Sequence, residues 1–209
     1  MNKAYKIYEY IKNYASLTDN VFCDLHKCAS SGPDGCNRKQ NHCMMNFDEV
    51  KNIYCSRKGI PSCKSADGLS YNDNGILFII EIKGWELYNA YSKPKTEQEV
   101  RDKVGEYGLS AKLADSLMIC KEVLGGNGKI IVPMVYLVVS DIKNEGIESI
   151  ANNLSLLAET SSSFSHIYGD EIKLQLSSIS DIDVGFVENC QEIDNELGSW
   201  TRARQIQLV

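Results

Sequence analysis

Seven consecutive residues, 76–82 (ILFIIEI), constrain the fold of this chain more than any other stretch. All but one are apolar, and no alternation with polar residues survives across them. A strand that is greasy on both faces needs cover on both faces, so it belongs inside a layered sheet. The Asn72-Asp73-Asn74-Gly75 segment just before it is a strong hairpin signal. The partner strand falls within residues 60–71, with Pro61 at its start, where a missing N–H donor is tolerated. One position is out of keeping with a buried strand. Glu81 stands at its end, Lys83 follows two residues later, and Asp67 lies on the partner strand. A carboxylate there is costly unless something neutralises it.

Register decides whether these groups meet. A four-residue connection at 72–75 pairs Tyr71 with Ile76 and sets Asp67 against Ile80, one short of Glu81. A three- or five-residue connection, or one bulge, brings Asp67 and Glu81 onto one face. Glu81 and Lys83 share a face in any register, because side chains repeat every two residues. The plainest reading makes Glu81 and Lys83 an exposed ion pair just past a core strand, contributing roughly 0–1 kcal/mol.

Elsewhere the periodicity is mostly helical. Ala4, Ile7, Tyr8, Ile11 and Tyr14 predict an amphipathic helix over 3–14. Asn46 with Glu49 is a capping pattern for a short helix over 46–56, with Phe47, Val50, Ile53 and Tyr54 on one face. After Trp85 the chain reads as loose through Pro94. A second cap at Thr96 opens a long helical stretch, interrupted near Gly105 and Gly108 and ended by the glycines from 125. Residues 129–140 (KIIVPMVYLVVS) predict a strong strand, 147–158 a helix, and 171–176 and 182–187 weaker strands.

A chain of 209 residues with 43% apolar and 24% charged content is expected to form one domain. No apolar run reaches the length of a membrane span; the longest, 130–139, is interrupted by Pro133. The first residues lack the apolar core of an export signal, so the expected location is cytoplasmic. Net charge of −6 argues against a protein that coats nucleic acid. From Glu145 onward 11 acids face 3 bases, whereas the preceding residues carry 17 acids and 19 bases, so the acid surplus is confined to the last third. An enzyme that touches a few phosphates locally remains allowed.

Six of the 8 cysteines, Cys23, Cys28, Cys36, Cys43, Cys55 and Cys63, crowd one region with His26 and His42 among them. Without an export signal, a disulfide framework is disfavoured. Cys23, Cys28, Cys36 and Cys43 are candidate ligands of a structural Zn²⁺ that would anchor a loop over 20–45, and buried thiols without metal are the equal alternative.

Two acids, one lysine and a hard divalent cation suffice to hydrolyse a phosphodiester: carboxylate oxygens suit Mg²⁺ or Mn²⁺, and the lysine serves the attacking water or the transition-state charge. Asp67, thirteen residues, then Glu81-x-Lys83 resembles the motif of the PD-(D/E)xK nuclease superfamily. The order helix, strand, turn, strand, helix, strand over residues 46–140 is similar to that superfamily's core. Ala66 stands where the motif's name has proline. The resemblance implies a restriction-endonuclease-like α/β (α+β) fold with a central mixed sheet flanked by helices. Residues 20–45 would be an insertion and 141–209 an acidic extension of the same domain. It implies catalytic roles for Asp67, Glu81 and Lys83, and metal ligation by Asp67, Glu81, the Ile82 carbonyl and the additional acid Glu49. Lys112 or Ser116 on the next helix would face the site. The expected function is a metal-dependent endonuclease acting on nucleic acid, DNA ahead of RNA, in defence, restriction or repair, with a homodimer allowed. The alternative is a catalytically silent, zinc-stabilised interaction module on the same fold.

Overall fold

The computed structural model describes residues 2–21, 43–126, 130–142, 164–180, 182–188 and 192–201. The 147–158 helix and Cys23, His26, Cys28, Cys36 and His42 lie outside these residues. Six strands form one sheet in sequence order: β1 (Asn20–Val21), β2 (Cys43–Asn46), β3 (Gly68–Tyr71), β4 (Leu77–Lys83), β5 (Met134–Ser140) and β6 (Asp183–Val187). The pairs from β1 to β4 are antiparallel, and β4–β5 and β5–β6 are parallel, giving a mixed sheet. Seven helices are described: α1 (Lys3–Ala15), α2 (Phe47–Lys58), α3 (Trp85–Ser92), α4 (Glu97–Gly105), α5 (Leu109–Val123), α6 (Ser165–Ser177) and α7 (Ile193–Ser199). The architecture is α/β, a mixed sheet flanked by helices. Among the described residues no helix is long and apolar enough to cross a membrane.

β4 is central, and its two faces feed two cores. Leu77 and Ile79, with Tyr136 and Val138 of β5, pack under α1, α2, α4, α5 and α6. Phe78, Ile80 and Ile82 meet Val135, Leu137 and Val139, and Ile193, Leu197 and Trp200 from the α7 region cover them. Each buried Ile, Leu or Phe contributes about 1.5–3 kcal/mol on removal from water. Because Glu81 follows Ile79 by two, it points into the helical layer.

The register brings Asp67 to the Glu81 end of β4. Tyr71 pairs with Leu77 and Gly68 with Ile80; Asp67, just before β3, donates its N–H to the Ile80 carbonyl (3.0 Å) and accepts the Ile82 N–H on its carboxylate (2.6 Å), so it bonds to the residues on either side of Glu81. The connection is the three-residue one: Asn72 N–H donates to the Ile76 carbonyl (3.1 Å), and Gly75 turns the chain at φ 80°. A residue with a Cβ would be strained at that φ, which is why Gly75 ends the turn.

Several expectations change. Residues 171–176 are helical, inside α6, because Ile167, Tyr168, Ile172 and Leu176 are buried on one helical face. Residues 85–92, read as loose, form α3, whose N-terminus receives the Asp141 carboxylate on the Trp85 N–H (2.5 Å). Residues 43–46, read as the end of a loop, are β2, with Met44 and Met45 buried on opposite faces. The strand expected over 182–187 is β6, and the described residues of the acidic last third also supply α6 and α7.

Candidate active site

β4 ends beside the first turn of α5, and the site forms where they meet. Glu81 is fully buried, at 0% exposure, which overturns the reading of an exposed ion pair. Its Oε1 accepts from Lys112 Nζ (2.6 Å) and pairs with Lys83 Nζ. Its Oε2 has no hydrogen-bond partner among the described residues. Burial pushes the Glu81 carboxyl above the usual range, and the nearby Asp67 charge adds to this; Lys83 and Lys112 pull it back only in part. Burial pulls the other way on Lys112, but the Glu81 charge and hydrogen bond outweigh it and hold its ammonium above the ordinary lysine value.

Asp67 is fixed by the backbone around it. Its Oδ2 accepts from the Ile82 N–H (2.6 Å), its N–H donates to the Ile80 carbonyl (3.0 Å), and its carbonyl receives the Phe47 N–H (3.0 Å). The described bonds leave Oδ1 without a hydrogen-bond partner. Lys83 is held from three sides: by Glu81, by the Ile82 carbonyl (3.2 Å) and by the Tyr107 ring, whose centroid lies 4.9 Å from Nζ. The Tyr107 hydroxyl, bonded to Tyr168 Oη (2.9 Å), is pushed up to about 12, mainly by burial. Ser140 Oγ donates to the Lys83 carbonyl (2.7 Å) and ties the end of β4 to β5.

Lys112 and Ser116 lie one helical turn apart and both face the hairpin. Ser116 Oγ receives the Ala66 N–H (2.9 Å) and donates to the Lys112 carbonyl (2.7 Å), so it docks α5 against the chain leading into Asp67. Glu49 is not drawn in. It is exposed and accepts from Asn46 Nδ2 (3.0 Å), completing the N-terminal cap of α2. Its neighbour Asp48 faces the site instead, binding Ser65 Oγ (2.6 Å) and Lys51 Nζ (2.7 Å). Partial burial would raise the Asp48 carboxyl, but those two bonds and the charges of Lys51 and Lys112 hold it below the usual range.

Sequence reasoning missed two contributors. Asp48 left no local signal: buried Phe47, Val50 and Tyr54 fix the inner face of α2, but Asp48 and Glu49 flank that face about equally, and only the docking of the helix chooses between them. Tyr136 left a faint signal, a hydroxyl inside an apolar strand. Its Oη is buried with no described partner, and burial together with the charges of Glu81 and Asp67 raises its pKa.

The donor set fits a hard cation. Glu81 Oε2 is buried without a hydrogen-bond partner, Asp67 is tied by its Oδ2 to the Ile82 N–H, and carboxylate and carbonyl oxygens are the donors a hard cation takes. No group of three acidic, His or Cys side chains converges among the described residues. An ion here would therefore complete its shell with backbone oxygen and water, as Mg²⁺ does. Of the proposed zinc ligands only Cys43 is described, and it is an exposed free thiol. Cys55 and Cys63 contact each other at 3.7 Å, away from the carboxylates. No protein-family model matches the chain, and no curated protein or solved structure matches it either.

Proposed function

We propose that the open end of the β3–β4 hairpin is a divalent-metal phosphodiesterase site, and that the chain is a nuclease of the restriction-endonuclease-like PD-(D/E)xK kind, acting on DNA in preference to RNA. One observation carries this reading: a fully buried glutamate keeps one oxygen without a hydrogen-bond partner, near an aspartate that leads into the paired strand and beside a fixed lysine. A buried carboxylate left half-satisfied is a liability for a purely structural residue and a requirement for a metal ligand.

Asp67 Oδ1, Glu81 Oε2 and the Ile82 carbonyl would hold the ion. When bound, Mg²⁺ or Mn²⁺ supplies Lewis acidity at a phosphoryl oxygen and makes a coordinated water more acidic. The remaining work falls to the protein. The Ile82 N–H holds Asp67 Oδ2 and leaves the other oxygen for the ion. Tyr107 and the Ile82 carbonyl confine the Lys83 ammonium, a preorganised cation for the charge that develops on phosphate. Ser116 keeps α5, and with it Lys112, at a fixed distance from the hairpin.

The test is cleavage of plasmid DNA and of a structured RNA by the purified chain, with Mg²⁺, with Mn²⁺ and with EDTA. Metal-dependent cleavage is expected in the wild type and is expected to vanish in Glu81→Gln and Lys83→Met, with circular dichroism unchanged. Cleavage surviving in both variants would overturn the proposal.

A further inference from the structure

The two lysines on Glu81 are held differently. Lys83 has the Ile82 carbonyl and the Tyr107 ring besides the carboxylate. Lys112 reaches Glu81 Oε1 at 2.6 Å and has no second hydrogen-bond acceptor among the described residues. Its further partners, Asp67 and Asp48, act on it through charge. It is a compact cation on a flexible four-carbon stem, rooted in the first turn of α5. It therefore sits on Glu81 and feels the charge of Asp67, the two carboxylates that the ion would take. A glutamate at 0% exposure needs a counter-charge in every state of the protein. Two lysines and a divalent ion on one buried carboxylate are more positive charge than it can balance.

We propose that Lys112 is the resident counter-ion of this site: its ammonium neutralises Glu81 when no metal is bound and is displaced from that carboxylate by the divalent cation, while Lys83 stays in place. This rests on the metal-site reading above and adds a competition to it. Lys112 and the metal oppose each other, so the Lys112–Glu81 salt bridge lowers metal affinity. A purely structural Lys112 does the reverse, because it fixes Glu81 for coordination and its loss weakens binding. Even when paired with Glu81, 21% of the Lys112 side chain is accessible, so the released ammonium would have a phosphate oxygen of the substrate within reach as a partner.

Calorimetric titration of the full chain with Mn²⁺ separates these cases. Lys112→Met keeps most of the aliphatic stem, and removing a unit charge at this range is expected to tighten Mn²⁺ binding roughly tenfold. Lys112→Arg keeps the charge and is expected to bind close to wild type. Lys112→Gln serves the same purpose if the methionine variant does not fold. A second measurement follows the displacement directly: with Mn²⁺ present, modification of Lys112 by an amine-reactive ester rises several-fold in peptide mass spectra, and modification of Lys83 does not. Unchanged or weaker binding in Lys112→Met, with wild-type binding intact and abolished by Glu81→Gln, overturns the counter-ion proposal and leaves the metal site standing. Absence of Mn²⁺ binding in every variant, or binding indifferent to Glu81→Gln, overturns both.

Discussion

Asn72 at the turn end of the β3–β4 hairpin and Glu81 at its open end are both buried, at 4% and 0% exposure. Their polar atoms are treated in opposite ways. Asn72 Nδ2 donates to the Leu197 carbonyl (2.8 Å) and the Trp200 carbonyl (3.1 Å), and its Oδ1 accepts from the Ile76 N–H (3.1 Å). Its own carbonyl receives Asn2 Nδ2 (2.7 Å), and Asn74 Nδ2 adds a bond to the Trp200 carbonyl (2.8 Å). The side chain joins the hairpin to the end of α7, and the Asn72 carbonyl adds the N-cap residue of α1. Glu81 gathers two cations on one oxygen and leaves the other without a hydrogen-bond partner. Full satisfaction at one end and a remaining acceptor at the other are what the proposed ligand site needs and a structural polar group does not.

The largest expected effect is on chemistry at the open end. Glu81→Gln or Lys83→Met should lower metal-dependent cleavage by about 10³-fold or more, the scale of losing a preorganised charge in a transition state. Their melting temperatures should stay near wild type. The reverse pattern belongs to the turn end. Asn72→Ala strands the Leu197 carbonyl and the Ile76 N–H, leaves the Trp200 carbonyl to Asn74 Nδ2 alone, and should cost about 2–4 kcal/mol in denaturant unfolding. Cleavage by the folded fraction should change less than threefold. A cleavage loss in Asn72→Ala with stability intact would erase the division between the two ends.

Metal sharpens the comparison at smaller amplitude. A tenfold excess of Mn²⁺ over its dissociation constant should stabilise the wild type by about 1.4 kcal/mol. The same addition should stabilise Asn72→Ala equally and leave Glu81→Gln unmoved. Equal stabilisation of Glu81→Gln would place the ion elsewhere.

The hairpin was the most legible part of the sequence, because a run of apolar residues, a turn cluster and a misplaced acid are local signals. The fold class followed from it, since a strand apolar on both faces requires two covering layers. Register was open between a four-residue connection and a three- or five-residue one or a bulge, and the three-residue turn depends on Gly75 adopting a positive φ. Helix α6 was misread as a strand because Ile172, Leu174 and Leu176 alternate, whereas the burial of Ile167, Tyr168, Ile172 and Leu176 follows a helical period that begins earlier. Leu174 is 64% exposed, which shows the alternation to be incidental. At the site, Asp67, Glu81 and Lys83 were readable from spacing within one hairpin. Lys112 was placed only as facing the site, and the choice of Asp48 over Glu49 was not readable. Both depend on how α2 and α5 dock on the sheet, a tertiary property with no local signature.

The smallest expected effect is the most specific to Glu81, and it concerns pH. The folded protein raises the Glu81 carboxyl above its ordinary value of 4.5, by burial first and by Asp67 second. At pH values below that ordinary value the group is protonated in both states, and its contribution to stability is fully present. As pH rises, the unfolded chain releases this proton first, so the folded state binds more protons and stability falls with pH. The fall ends once pH passes the raised folded value. Lys112 does not contribute in this window, because a raised lysine loses its contribution only at alkaline pH above its ordinary 10.5. Glu81→Gln cannot titrate, so wild-type stability minus that of Glu81→Gln should fall from pH 4 toward neutrality in metal-free buffer, then level off. Mn²⁺ favours the ionised carboxylate and should flatten or invert that slope. Asn72→Ala, changed only at the far end, should retain the full wild-type slope. Parallel profiles for wild type and Glu81→Gln would mean that Glu81 carries no strain for a metal to relieve.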